Sequence, residues 1–135
     1  MSAVVADTHS LLWYLNDLPQ LSTPALTAFE FAEQSGLPIY VPAIVLVELR
    51  YLVERGRDIF ENDFQQVRHE LNSPASALTL APLDQIAAEA LGQIPRQFVP
   101  DMPDRIIAAT ALALNVPLVT KDSKLHTLTN IALIW

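Results

Sequence analysis

Short apolar runs alternate along this chain with longer stretches of helical periodicity, and that alternation restricts the fold more than any other feature. Ala3-Val4-Val5-Ala6, Ile39-Tyr40-Val41, Leu118-Val119-Thr120 and Ile131-Ala132-Leu133-Ile134 are too short for helices and lack the every-second-residue polarity of a half-exposed strand. Strands apolar on both sides must be covered on both sides, which selects an α/β fold with a central parallel sheet. A further strand is expected over Ser76 to Leu80. Helices are expected from Asp7-Thr8 through Leu11, Leu12 and Leu15 to a stop at Pro19, from Thr23 to Ser35, from Pro42 to near Gly56, from Ile59 to Leu71, from Asp84 to Leu91 and from Pro103 to Leu114. In such sheets functional groups collect at the carboxyl ends of the strands.

A length of 135 residues suits one domain with a real core, taken here as residues 1–135. The absence of cysteine excludes a disulfide framework, thiolate zinc sites and a cysteine nucleophile. No basic leader and no apolar run of membrane length stands out, so the expectation is a cytoplasmic protein with no membrane association. Charged residues make up only 17% of the chain, against a usual share of about 25%, which predicts exposed apolar surface and hence a protein partner or self-association. Leu11, Leu12, Trp13 and Phe31 are the apolar positions assigned to that surface. A net charge of -7 argues against a general polyanion binder, because loose nucleic-acid affinity comes from Lys and Arg displacing counterions. Arg50, Arg55 and Arg57 form the one basic cluster.

Four acids resist a purely structural reading when they are taken together. Asp7 follows a strand and precedes a helix, where an N-cap is the simpler explanation; Asp122 follows another strand and fits a turn or cap equally well. Glu48 has Ile44 and Leu52 one turn away on either side, on the buried stripe of its helix, and a buried glutamate needs a partner. An ion pair to an arginine, or a position at the edge of the stripe, would also satisfy it. Asp101 and Asp104 open a helix; capping suits Asp101, while Asp104 shares a face with Ala108 and Ala111, whose small side chains allow close approach to the sheet. Two acids at strand ends and two on helices make an all-oxygen set suited to a hard cation. With three glycines in the chain there is no phosphate-binding glycine loop, and there is neither a G-x-S-x-G elbow nor an H-E-x-x-H. His9, His69 and His126 are isolated and read as surface or capping residues.

These residues lie in runs that resemble a known family. Val5-Ala6-Asp7-Thr8-His9 with Leu11-Leu12-Trp13, Pro42 to Arg50 (PAIVLVELR), Asp101 to Ala109 (DMPDRIIAA) and Val119 to Asp122 (VTKD) are similar, in order and over essentially the whole chain, to the motifs of PIN domains, particularly VapC-like toxins. The resemblance implies a three-layer α/β/α sandwich that cleaves RNA with Mg²⁺ or Mn²⁺. Asp7, Glu48, Asp104 and Asp122 match the family's acidic quartet, Thr120 the hydroxyl residue that orients the first aspartate, and Asp101 a frequent fifth acid. A homodimer and an antitoxin that inserts a segment, often carrying an arginine, into the acidic pocket are implied as well. So are 5′-phosphate and 3′-hydroxyl products, made by a water that carboxylate-held metal activates for in-line attack, with Glu48 or Asp104 as a possible orienting base. Met102-Pro103 departs from the family, where an aromatic commonly precedes the Asp-Arg pair.

Two rival readings belong to other classes. A PIN-like scaffold that binds a partner without cleaving anything would keep the low charge and need none of the acids. A receiver-type signalling domain would need an aspartate ending its middle strand, and the strand assigned to that place, Ala77-Leu78-Thr79-Leu80-Ala81, has none.

Overall fold

The computed structural model describes all 135 residues. Five strands, β1 (Val4–Ala6), β2 (Ile39–Pro42), β3 (Leu78–Ala81), β4 (Leu118–Val119) and β5 (Leu133–Ile134), form one sheet in the order β3-β2-β1-β4-β5. Every pairing is parallel, as the two-sided apolar strands demand. Six helices flank it: α1 (Thr8–Leu15), α2 (Thr23–Gln34), α3 (Ala43–Arg55), α4 (Glu61–Leu71), α5 (Gln85–Ala90) and α6 (Met102–Leu114). The central strands β1 and β4 are buried throughout, whereas Thr79 and Leu80 of the edge strand β3 are exposed. Phe29 of α2, Leu49 of α3 and Ile107 of α6 are fully enclosed in the core.

Chain order and sheet order together create the site's location. The chain steps one way from β1 to β2 to β3, then crosses back to β4 on the other side of β1. Right-handed crossovers send helices before and after that reversal to opposite faces, so the ends of β1 and β4 diverge around a crevice. Asp7 follows β1 and Asp122 lies just beyond β4.

Several expectations need correction. Helix α1 ends at Leu15, before Pro19, because Asn16 caps it and Asp17 takes a left-handed conformation (φ 51°). Pro42 closes β2 and caps α3, which starts at Ala43 without an intervening loop. The third strand spans Leu78–Ala81 and the last only Leu133–Ile134. Leu11 and Leu12 are core residues, 0% and 6% exposed, and Trp13 and Phe31 are partly buried, so these positions do not form the predicted surface. Helix α1 is covered on more than one side, and its periodicity cannot tell a face against the sheet from one against a partner. The exposed apolar residues are instead Val47 and Tyr51 on α3, Leu83 and Ile86 around the start of α5, and Met102 at the start of α6, among others. The middle strand is β1, not the segment around Leu78, and it does lead into an aspartate. What sets the chain apart from a receiver is strand order, since receivers follow 2-1-3-4-5.

Candidate active site

Asp7, Glu48, Asp104 and Asp122 all line one cavity of about 490 Å³ at the carboxyl edge of the sheet, with His9, Trp13 and Lys121 also in its wall. Each acid arrives by a different local device. Asp7 sits in extended conformation at the N-cap of α1, where its Oδ1 accepts the Ser10 N–H at 2.9 Å. Its Oδ2 accepts the hydroxyl of Thr120, a side chain with no solvent exposure. Thr120 Oγ1 also accepts the Asp122 N–H at 3.1 Å, so one buried hydroxyl ties the ends of β1 and β4 together. Ser10 adds a second tie, donating from Oγ to the Val119 carbonyl at 3.0 Å.

Asp122 holds the turn that leads into the short 3₁₀ segment Leu125–Thr127, its Oδ1 accepting the N–H groups of Lys124 at 2.8 Å and Leu125 at 3.4 Å. His126 braces the same turn by donating from Nε2 to the Thr120 carbonyl at 2.7 Å. Glu48 is partly buried on α3, and its Oε1 accepts the hydroxyl of buried Thr8 at 2.6 Å. No arginine pairs with it: the molecule's salt bridge joins Arg50 to Glu61, while Arg50 also lies over the Phe64 ring.

Asp104 stands on the first turn of α6, half-buried, with no hydrogen bond to its carboxylate. Burial, reinforced by the charges of Asp122, Glu48, Asp101 and Asp7, pushes its carboxyl from 3.8 up to about 7. The neighbouring Arg105 does not relieve this. Its guanidinium turns away to the carbonyls of Leu91 and Ile94, at 2.9 Å each, and clamps the end of the segment after α5. Asp101 occupies the N-cap position of α6 but makes no capping bond; it is exposed and outside the cavity wall, so the capping role expected of it is not realised.

The site therefore concentrates negative charge with one lysine, Lys121, in its wall. The side chains are not drawn around a common point: no three of them stand in ligating arrangement, as mutual repulsion favours. The donor set is nevertheless the one that hard divalent cations take, and the strain at Asp104 is what a cation would remove. Sequence reasoning missed the supporting residues Thr8, Ser10 and Arg105 and the rim residues His9, Trp13 and Lys121. Thr8 and Ser10 were findable, since each lies next to or three residues from Asp7 on a helix start where hydroxyls commonly bond; Arg105 has no comparable signal, because its acceptors lie in a loop distant in sequence.

The chain's likeness to known proteins runs over nearly its whole length. The model of the PIN domain family matches residues 4–130. The ribonuclease VapC22 of Mycobacterium tuberculosis (strain ATCC 25618 / H37Rv) is 31% identical over 126 residues, covering 93% of this chain and 92% of that protein. Among solved structures, VapBC2 of Rickettsia felis bound to a DNA fragment from its promoter superposes with a TM-score of 0.71 at 20% identity, over 97% of this chain and 96% of the other. DNA-bound VapBC of Salmonella typhimurium gives 0.70 at 19% identity, over 98% and 97%.

Proposed function

Because this chain belongs to the PIN-domain family, we propose that it is a metal-dependent endoribonuclease and the toxin of a toxin-antitoxin pair. The observation that carries the reading is the gathering of Asp7, Glu48, Asp104 and Asp122 from four separate segments at the point where strand order reverses, without a basic partner for any of them. A structural role would neutralise such a group, whereas phosphodiester hydrolysis by a bound cation requires it open.

These four residues would hold Mg²⁺ or Mn²⁺, with exposed Asp101 contributing charge. A bound ion supplies positive charge at the phosphate and lowers the pKa of water beside it. The chain's own residues do the positioning. Thr120 and Ser10 fix both oxygens of Asp7, and Thr8 fixes one oxygen of Glu48 while its other accepts nothing within the chain. Asp104, with its carboxyl near 7, carries a proton part of the time at neutral pH, and cation binding would release it.

The partner half of the proposal is supported by the solved VapBC relatives, one of which is a member of the VapBC family of toxin-antitoxin systems, and by exposed Val47, Tyr51, Ile86 and Met102. We assign that surface to a homodimer and to an antitoxin segment. No helix is long and apolar enough to cross a membrane, which suits a cytoplasmic toxin. The decisive experiment incubates purified protein with a structured RNA pool in Mn²⁺, in EDTA, and as the Asp7→Asn variant, and sequences the new ends. Cleavage leaving 5′-phosphates, lost in EDTA and in the variant, is expected. Cleavage undiminished by EDTA overturns the metal assignment, and absence of cleavage in Mn²⁺ leaves a non-hydrolytic partner-binding scaffold.

A further inference from the structure

Beside the acids, the wall of the active-site cavity carries an aromatic series that the hydrolytic chemistry does not use. The ring of exposed His9 lies 5.8 Å from that of Trp13 at 47°, and Trp13 lies 5.8 Å from Trp135 at 58°. Lys121 Nζ stands 5.9 Å from the centre of the Trp13 ring. His9 and Trp13 also line a second cavity of about 490 Å³, between α1 and the segment around Asp58, so they form the ridge separating it from the acidic one. A partly open tryptophan and an exposed imidazole at such a ridge, six and two residues along from Asp7, are not needed to close the core.

We propose that His9, Trp13 and Lys121 form a nucleobase platform, on which an unpaired base next to the scissile phosphate is held. This rests on the ribonuclease reading and adds to it the residues that would hold the substrate's base beside the acids. The argument comes from charge. A chain of net charge -7 draws little affinity from the phosphates beyond what a bound cation would supply, and the one lysine in the cavity wall lies beside an indole rather than in a basic groove. Stacking on aromatic rings with a cation close by is the remaining sequence-tolerant source of affinity, and it requires a base free of its duplex. Trp13 would carry the base, with the His9 ring and the Lys121 cation beside it. Trp135 packs against Trp13.

The chain's two tryptophans both belong to this series, so fluorescence excited selectively in tryptophan, where the three tyrosines do not absorb, reports on it. The test titrates the cleavage-deficient Asp7→Asn protein, in Mg²⁺, with mixed-sequence RNA 20-mers, single-stranded or annealed into duplex. Quenching by the single strands and at least tenfold weaker binding of duplex are expected. Trp13→Leu should weaken single-strand binding about tenfold, the size of one lost base stack, and Trp13→Phe should restore most of it. In proteins with Asp7 intact, an abasic nucleotide placed in turn on each side of a mapped cleavage point should raise KM for wild type and not raise it further for Trp13→Leu. A merely structural tryptophan predicts equal, additive losses on intact and abasic RNA and no quenching, and that result overturns the platform. Absence of cleavage by the wild type would instead remove the ribonuclease reading, while the quenching titration still judges the platform by itself.

Discussion

Replacing Asp104 with Asn separates a repulsive cation site from an ordinary helix start. The carboxyl is raised from 3.8 to about 7, so the folded protein holds a proton that the unfolded chain gives up at lower pH. Stability from this residue is therefore complete below about pH 4 and is lost as pH rises through 7. At ~1.4 kcal/mol per pH unit the ceiling of that loss is about 4 kcal/mol, and because the side chain is only half-buried, screening by water reduces it to about 1–2 kcal/mol. Asparagine keeps the shape and removes the charge. It also forgoes about 0.3–1 kcal/mol of favourable interaction between a carboxylate and the start of α6. The net expectation for the metal-free protein at pH 8 is a gain of about 1 kcal/mol, or roughly 3–5 °C in melting temperature for a domain of this size. The gain should shrink as pH falls, to about a third of its size at pH 5, and vanish only below about pH 4, where the unfolded chain carries the proton as well. Mn²⁺ should raise the melting temperature of wild type more than that of the variant, since it binds the folded cluster and not the unfolded chain. Thermal melts at pH 5 and 8, with and without Mn²⁺, measure all of this. A variant that melts lower than wild type at pH 8, with an unchanged response to Mn²⁺, would refute the reasoning and leave Asp104 a helix-dipole residue.

Three further perturbations test neighbouring parts of the site. Thr120→Val removes the buried hydroxyl that serves both Asp7 and the Asp122 N–H, so a loss of about 1–3 kcal/mol in denaturant unfolding is expected together with loss of cleavage, and Thr120→Ser should recover most of both. Asp122→Asn retains an oxygen to accept from Lys124 and Leu125, so its melting temperature should stay close to wild type, whereas Asp122→Ala should lose about 1 kcal/mol with the cap; both should abolish cleavage, and equal stability of the two variants would show that the cap contributes nothing. Sedimentation at micromolar concentration should give a dimer that Ile86→Glu or Tyr51→Glu disperses, and a monomeric wild type would refute self-association through that surface.

The layers of the fold were legible because burial on both faces leaves a mark on every strand: β1, β2 and β4 are apolar at consecutive residues, and a parallel sheet follows from that pattern alone. Strand order was not legible. Nothing in Leu78 to Ala81 says that this segment lies at an edge, and strand order, not the residue ending that strand, separates the fold from a receiver. The four acids could be singled out because two at strand ends and two on helices make an all-oxygen set when taken together, and the structure brings all four to one cavity. Their supports were harder to see, because a hydrogen bond such as Thr8 to Glu48 joins residues 40 apart and leaves no local pattern. The exposed apolar surface was correctly expected from the shortage of charge but placed on the wrong residues, since composition counts how much apolar area must be exposed and says nothing of which helix carries it.

The opposition between cap and ligand, which seemed to weaken Asp7 and Asp122 as site residues, dissolves in the structure. A carboxylate has two oxygens, and an N-cap or turn uses only one. Asp122 gives Oδ1 to the N–H groups of Lys124 and Leu125 and leaves Oδ2 without a partner in the chain; Glu48 gives Oε1 to Thr8 and leaves Oε2. Asp7 caps α1 through Oδ1 while Oδ2 meets a hydroxyl, which keeps lone pairs accessible to a cation as an arginine would not. Anchoring by hydroxyls and backbone N–H groups restricts each side chain without cancelling its charge. Ion pairs would hold the same atoms equally firmly and would neutralise the field that draws a divalent cation. The local rules that start helices after β1 and turns after β4 thus deliver charged, oriented carboxylates to the crevice, and the capping residues of this fold are where its cation chemistry can be built.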